Sequence, residues 1–308
     1  METKGRQANK GERSPVKLGI NGLGRIGKLS VWHHVSRGYF SGLVINIGRE
    51  AGGGLEDVAS YIERDSTYGY LGQYLYGHKA GRVIENMNEE HGTFEANGIP
   101  VTVLRKDRNP KDLPWRSLGV PLVVDATGKF LDPTAPPDQK NGSIQGHLEA
   151  GAKKVIPEMK RIGFIAESVR IPTSTGSLII LVMNIQDETL EHPIKRQDIN
   201  QVYRKASETY MNKYLRYSNR QNVSSDIIGN PYAAAVIEGE ETHTRTAHIC
   251  VDPSKIPGFR SEAFPKGGPC PIEIPVTQTV IYGWYDNELG SYTNMMGDLT
   301  VKIAEGLL

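Results

Sequence analysis

The sequence predicts an α/β protein in two parts, a first half built on a mostly parallel sheet and a second half built on a mixed or antiparallel one. Three observations carry this. An apolar run ends in Gly22, Gly24 and Gly27 at G-x-G-x-x-G spacing, and a helix-competent stretch follows. Short apolar runs then alternate with helical periods as far as Ile156. Beyond that point, long strand candidates share one clear helix.

Val16, Leu18 and Ile20 alternate as a strand that ends at Asn21, and Lys28–Val35 continues as a helix after the glycine turn. Such a turn lets the backbone approach a pyrophosphate and aims helix N-terminal amides at it. Leu43–Ile47 reads as the second strand, and Ala51–Gly54 as a flexible link. Leu55, Val58, Ala59 and Ile62 have a helical period over Leu55–Arg64. Phe94–Leu104 reads as a hairpin because Asn97-Gly98 is the strongest short-range turn signal. Pro121–Ala126 is a strand closed by Thr127-Gly128, Ser143–Ala150 a helix, and Lys154–Ile156 the start of another strand.

In the second half, Phe164–Val169, Leu178–Ile185, Thr242–Val251 and Val276–Trp284 are strand candidates. Gln197–Thr209 has apolar residues at Ile199, Val202, Tyr203 and Ala206, a helical period. Thr293–Leu308 ends the chain with a helical pattern through Met296, Leu299, Ile303 and Leu307.

Basic and acidic residues number 36 and 35, so the balance points to neither nucleic acid nor an anionic membrane as a partner. No apolar run approaches a membrane span. Residues 1–15 are charged without an apolar stretch, so they read as a solvated tail and not a secretory signal. Two cysteines, Cys250 and Cys270, make no disulfide framework, and a reducing, cytoplasmic setting is the expectation. No cluster has metal-ligand spacing. His33-His34 on the first helix reads as a solvated or packed pair. His248 and Cys250 would share one side of a strand, where a packed, half-buried cysteine is favoured over a catalytic pair. Cys270, in a proline-rich loop, reads as exposed.

Seven segments in order, INGLGRIG, RDSTYG, VVDATGKF, GHLEAGAKKVI, SVRIPT, NVSSDIIG and WYDNELGSY, resemble those of phosphorylating glyceraldehyde-3-phosphate dehydrogenases. The resemblance spans nearly everything from Val16 to Leu308. It implies a Rossmann-like dinucleotide-binding domain over residues 16–156, with the helix 293–308 returning to it, and an α+β mixed-sheet catalytic domain over 157–292. It also implies a place in glycolysis or gluconeogenesis.

The family's nucleophile lies in an S-x-S-C-T-T-type segment, followed by a histidine and a substrate loop. Here Val155-Ile156 runs directly into Pro157-Glu158-Met159, as if two family V-I sites had been joined and the block between them lost. None of the eight histidines stands in the family's histidine context. The sequence therefore names no catalytic residue, and the catalytic domain reads as an incomplete remnant with an uncovered sheet. Two functions follow from different classes: an oxidoreductase, dead or severely impaired in this form, or a non-catalytic dinucleotide-binding subunit. Assembly as a homo-oligomer, or as a hetero-oligomer with intact family members, is implied.

The cofactor side survives. Gly22, Gly24, Arg25, Ile26 and Gly27 match the pyrophosphate turn. Arg108 resembles an adenine-side arginine, with a solvated loop arginine as the alternative. Thr127 and Gly128 match the turn beside the nicotinamide ribose. Asn287 matches the asparagine that holds the carboxamide. Where a carboxylate usually ends the second strand and holds the ribose, Ile47 stands, followed by Gly48, Arg49 and Glu50. Arg49 could pair with a 2′-phosphate, so NADP is expected to be accepted beside NAD; in the alternative, Arg49 faces solvent and Glu50 takes the ribose. Arg170 matches a substrate-phosphate arginine, with a surface or interface salt bridge as the alternative.

Overall fold

The computed structural model describes residues 13–48, 53–78, 81–105, 107–130, 132–153, 175–186, 193–229, 233–252 and 272–307. The chain divides into two compact units, Met1–Arg170 with Thr293–Leu308, and Ile171–Tyr292.

The first unit runs β1 (Ser14–Asn21), α1 (Arg25–Arg37), β2 (Phe40–Asn46), α2 (Leu55–Glu63), the short pair β3 (Arg64–Asp65) and β4 (Gly69–Tyr70), α3 (Leu71–Tyr76), β5 (Ile84–Asn88), β6 (Thr93–Ala96), β7 (Ile99–Leu104), β8 (Leu122–Asp125) and α4 (Gly146–Glu149). Its six-stranded sheet has the order β5-β6-β7-β2-β1-β8. The neighbours β7, β2, β1 and β8 are parallel, and β5, β6 and β7 pair antiparallel. The β6–β7 hairpin turns at Asn97 and Gly98, both with positive φ (50° and 69°), as a type I′ turn requires.

Helix α1 is buried continuously from Gly27 to Val35, with Leu29, Val31, Trp32 and Val35 fully inside. It is wrapped because it lies under the sheet on one side and under α2 and α7 (Asn294–Glu305) on others. The expected helix over Ser143–Ala150 shrinks to α4, four residues long. The amides of Gly146, His147 and Leu148 each bond the carbonyl three residues back, so the chain there winds as tight turns. The strands expected at Lys154–Ile156 and Phe164–Val169 fall outside the described residues.

The second unit runs β9 (Gly176–Gln186), α5 (Arg196–Ser207), β10 (Leu215–Ser218), α6 (Ser224–Ile227), β11 (Ala235–Glu238), β12 (His243–Val251) and β13 (Ile272–Asp286). β13 is the centre of a mixed five-stranded sheet: β9, β11 and β12 pair with it antiparallel, and β10 adds to β11 in parallel. One face is covered: Thr277, Thr279 and Ile281 are buried. The other is uncovered along β9, where Leu178, Ile180 and Val182 are 38%, 55% and 54% exposed, although Trp284 on β13 is half-buried against Ile227, Ala233 and Val236. No helix among the described residues is long and apolar enough to cross a membrane.

Candidate functional site

A cleft of about 280 Å³ opens in the first unit where β1, β2 and β8 end. Strand order reverses at β1, because the chain moves outward to β2 on one side and returns later to β8 on the other. Open α/β sheets bind ligands at such a switch point, outside the carboxyl ends of the strands. The walls come from the β1–α1 turn (Asn21–Gly24), the end of β2 (Asn46–Gly48), Arg108, and the turn after β8 (Ala126, Thr127, Lys129 and Phe130).

Each glycine of the turn has its own reason. Gly22 takes φ +96°, and an added Cβ would meet the Thr127 amide at 3.0 Å, so it permits both the turn and the close approach of the β8 loop. A Cβ on Gly27 would lie 2.0 Å from the Gly22 carbonyl oxygen, so Gly27 lets α1 press against the strand end. Gly24, the N-cap of α1, differs: an added Cβ meets nothing within 4 Å and would stand in the cleft. The first turn of α1 carries no acidic residue. The N-terminal end of α1, a positive dipole end, and the open space at Gly24 fit the pyrophosphate of a dinucleotide.

The side chain of Arg25 turns away from that role. Its guanidinium donates to the Asp65 carboxylate at 3.2 Å and to the Ser66 and Thr67 hydroxyls. Asp65 also pairs with Lys28 at 2.9 Å and accepts from the Thr67 and Tyr68 amides. Burial raises the Asp65 carboxyl, but Lys28, these amides and Arg25 together hold it far below the usual carboxylate range. Arg25 and Ile26 open α1 directly after Gly24 and do not themselves line the cleft.

Across the cleft, the Arg108 Nε donates to the Gly48 carbonyl at 2.8 Å, which stations the guanidinium beside Ile47. Arg108 makes no ion pair among the described residues. The Thr127 amide and hydroxyl both donate to Asp125 Oδ1, at 3.0 and 2.6 Å, which shapes the turn that includes Gly128 at φ +66°. Asn287 belongs to the second unit; its amide donates to the Thr175 carbonyl and its Oδ1 accepts from Ser177. Arg49 and Arg170 lie outside the described residues.

Asn46, Lys129 and Phe130 line the cleft without having been singled out in the sequence. Asn46 left one signal, a polar residue closing an apolar strand. Its Nδ2 donates to Asn21 Oδ1 at 2.8 Å and to the Asp107 carbonyl, while its Oδ1 accepts from the Gly48 amide.

Cys250 is not the packed, half-buried cysteine expected. His248 and Cys250 are both exposed on β12, His248 faces Glu273 at 3.2 Å, and Cys250 is engaged in a disulfide. No free thiol is present among the described residues. His248 and Cys250 stand on the side of the sheet that buries Thr277 and Thr279, near the end of the β12–β13 pair, where the neighbouring Glu273 is exposed as well. Cys270 lies outside the described residues. His33 and His34 are a packed pair, both buried. Among the described residues, no group of His, Cys, Asp or Glu is placed to hold a metal ion.

Residues 16–133 match the model of the glyceraldehyde 3-phosphate dehydrogenase NAD binding domain, and residues 142–251 that of the C-terminal domain of the same enzymes. The chain is 22% identical to glyceraldehyde-3-phosphate dehydrogenase 2 of Streptomyces avermitilis, over 95% of this chain and 99% of that protein. It is 34% identical to the chloroplastic A form from Zea mays and 30% to the glycosomal form from Crithidia fasciculata. Each of these matches covers 46% of this chain, and they cover 30% and 37% of those proteins.

Proposed function

The chain belongs to the glyceraldehyde-3-phosphate dehydrogenase family, and from that premise we propose that it binds a nicotinamide dinucleotide in the cleft at β1, β2 and β8 without turning over the family's substrate. When bound, the nicotinamide supplies a hydride acceptor. The amides of the Gly22–Gly27 turn would hold the pyrophosphate, Arg108 would face the adenosine side, and Thr127 would meet the nicotinamide ribose.

The observation that carries the proposal is the direct junction of Val155-Ile156 to Pro157-Glu158, with no S-x-S-C-T-T segment between them. The alignment with the Streptomyces protein supports it, because it runs over 394 positions although the chain has 308 residues. Positions of that relative therefore have no counterpart here. The family reaction needs a thiolate to add to the aldehyde and a base to take the hydroxyl proton. Loss of the nucleophile in a comparable covalent enzyme costs on the order of 10⁶ in turnover. Cys250, held in a disulfide, offers no substitute.

NADP is proposed to be accepted beside NAD. Ile47 presents no carboxylate to repel a 2′-phosphate, and Arg108 stands beside it. A second reading, a regulatory subunit that joins intact relatives, draws on the open apolar face of the second unit.

The test is calorimetric titration of the purified chain with NAD and NADP, beside a dehydrogenase assay with glyceraldehyde 3-phosphate and inorganic phosphate. Micromolar binding with no turnover is expected. An appreciable rate would overturn the catalytic part, absence of binding would overturn the cofactor part, and NAD binding far tighter than NADP would overturn the proposed tolerance.

A further inference from the structure

We propose that His147, which does not line the cleft, is a positioning residue that sets the cleft's shape through Asp125. The proposal rests on the dinucleotide reading of that cleft.

The geometry dictates which ring nitrogen carries the proton. The Trp115 indole Nε1–H donates to His147 Nδ1 at 3.0 Å. An indole N–H can only donate, so Nδ1 must present its lone pair. The neutral ring then carries its proton on Nε2, which lies 2.9 Å from Asp125 Oδ2 and donates to it. Asn21 Nδ2 donates to the same oxygen at 2.7 Å. Trp115, His147 and Asn21 are all buried. No other protonation state satisfies all three groups: a proton on Nδ1 would face the indole N–H, and a bare Nε2 would face the carboxylate.

From Asp125 the constraint spreads to the cleft. Its other oxygen takes the amide and hydroxyl of Thr127 and forms the turn that walls one side. Asn21, held by Asp125, offers its own Oδ1 to Asn46 Nδ2 at 2.8 Å, and Asn46 in turn receives the Gly48 amide. A single chain of hydrogen bonds thus ties the ends of β8, β1 and β2, the three strands at whose termini the cleft opens. Burial raises the Asp125 carboxyl, but hydrogen bonds from His147, Thr127 and Asn21 outweigh it and keep the group ionised. An anchored carboxylate that accepts four donors cannot rotate to release any one of them without stranding another. His147 and Trp115 supply the back end of this anchor. Preorganised polar groups of this kind reduce what a ligand must order on binding.

The experiment compares NAD affinity of the full chain with that of His147→Leu, His147→Gln and Asp125→Asn. A glutamine amide can still donate to Asp125, whereas leucine fills the space without a donor. The expected result is NAD affinity reduced about 10-fold in the leucine variant, in line with loss of a hydrogen bond to a charged group, and restored to within about 3-fold in the glutamine variant. Asp125→Asn turns an amide NH2 donor toward two donors with no change of volume, so it is expected to weaken NAD at least as much; it decides the question if the leucine variant does not fold. Nitrogen-15 NMR of the ring supplies a readout independent of affinity, and the neutral ring is expected to be the Nε2–H tautomer. Equal NAD affinity across wild type and variants, or the Nδ1–H tautomer, would overturn the positioning role alone. No NAD binding by the wild-type chain, with the Nε2–H tautomer intact, would instead overturn the cleft reading on which the proposal rests.

Discussion

The carbonyl oxygen of Gly22 lies 2.0 Å from the point where a Cβ on Gly27 would stand, so α1 touches the end of β1 through bare backbone. Gly24, between them in sequence, has no such neighbour. The two substitutions should therefore separate folding from binding. Gly27→Ala is expected to destabilise the first unit by about 1–3 kcal/mol or more through overpacking. Gly24→Ala should change stability by less than about 1 kcal/mol and yet reduce dinucleotide affinity at least 10-fold. Thermal melts and calorimetry on the two variants check this, and equal effects of both on stability would refute it.

Asp65 and Lys28 form an ion pair with side chains almost wholly buried. Asp65→Asn should cost about 3–5 kcal/mol, because it leaves the Lys28 ammonium inside without its counter-charge. The sign of the pH effect follows from the depressed carboxyl. The unfolded chain takes up a proton near pH 4 and the folded chain does not, so the contribution is whole above that pH and lost as pH falls below it. Urea titrations from pH 7 to pH 3 should show a steeper loss in the wild type than in the variant.

His34 is buried with neither ring nitrogen hydrogen-bonded among the described residues. Burial first, then His33 and Arg37, hold its pKa well below the ordinary imidazole value. Burial lowers His33 too, against the raising effects of Asn294 and Asp298. Both are harder to protonate in the folded chain than in the unfolded one. Stability is therefore full above about pH 6.5 and falls as the pH drops below it, by up to about 1.4 kcal/mol per pH unit for each histidine. His34→Phe, stacked edge-on to Phe40 as the imidazole is now, should make that fall shallower between pH 6.5 and 5, as measured by thermal midpoints. An unchanged slope would mean that His34 does not control it.

The His33 ring rests on Gly297 of α7: a Cβ there would lie 2.2 Å from the imidazole. Its Nδ1 meets Asn294 Oδ1 at 2.8 Å, one turn earlier on the same helix. Gly297→Ala should unseat α7 from α1. Hydrogen exchange is expected to rise across residues 294–305 before the rest of the unit opens; unchanged protection there would show that the helix is held by other contacts.

Ile180 and Val182, with Leu178, leave an apolar stripe on β9. Replacing both with threonine keeps β-branched residues suited to a strand and removes the exposed methyl surface. The double variant should bind less of a hydrophobic dye and sediment closer to a single species than the wild type at the same concentration. Self-association that is unaffected would place the sticky surface elsewhere.

The glycine turn, the Asn97-Gly98 hairpin and the amphipathic helices could be read from the sequence because each depends on residues a few positions apart. Arg25 shows where that reading stops. It stands inside the pyrophosphate motif, yet its guanidinium serves Asp65, forty residues along the chain. The Ser143–Ala150 helix shows another limit, since its apolar spacing suits a helix but three glycines bound or interrupt it, at Gly142, Gly146 and Gly151. Ile47 was legible as a missing carboxylate, whereas its neighbour Arg108, sixty residues from Gly48, needed the fold to bring it there.

Turn chemistry and hydrophobic period therefore determined, from the sequence by itself, that a strand, a glycine turn and a helix would build a dinucleotide cradle. Periodicity says which face of an element seeks cover and is silent on which distant polar group will share its interior. Only the tertiary structure decided that His147 would be wedged between Trp115 and Asp125, and that His33 would sit on Gly297. Each buried donor had to find an acceptor among residues tens or hundreds of positions away, and that matching is made by packing, not by local sequence.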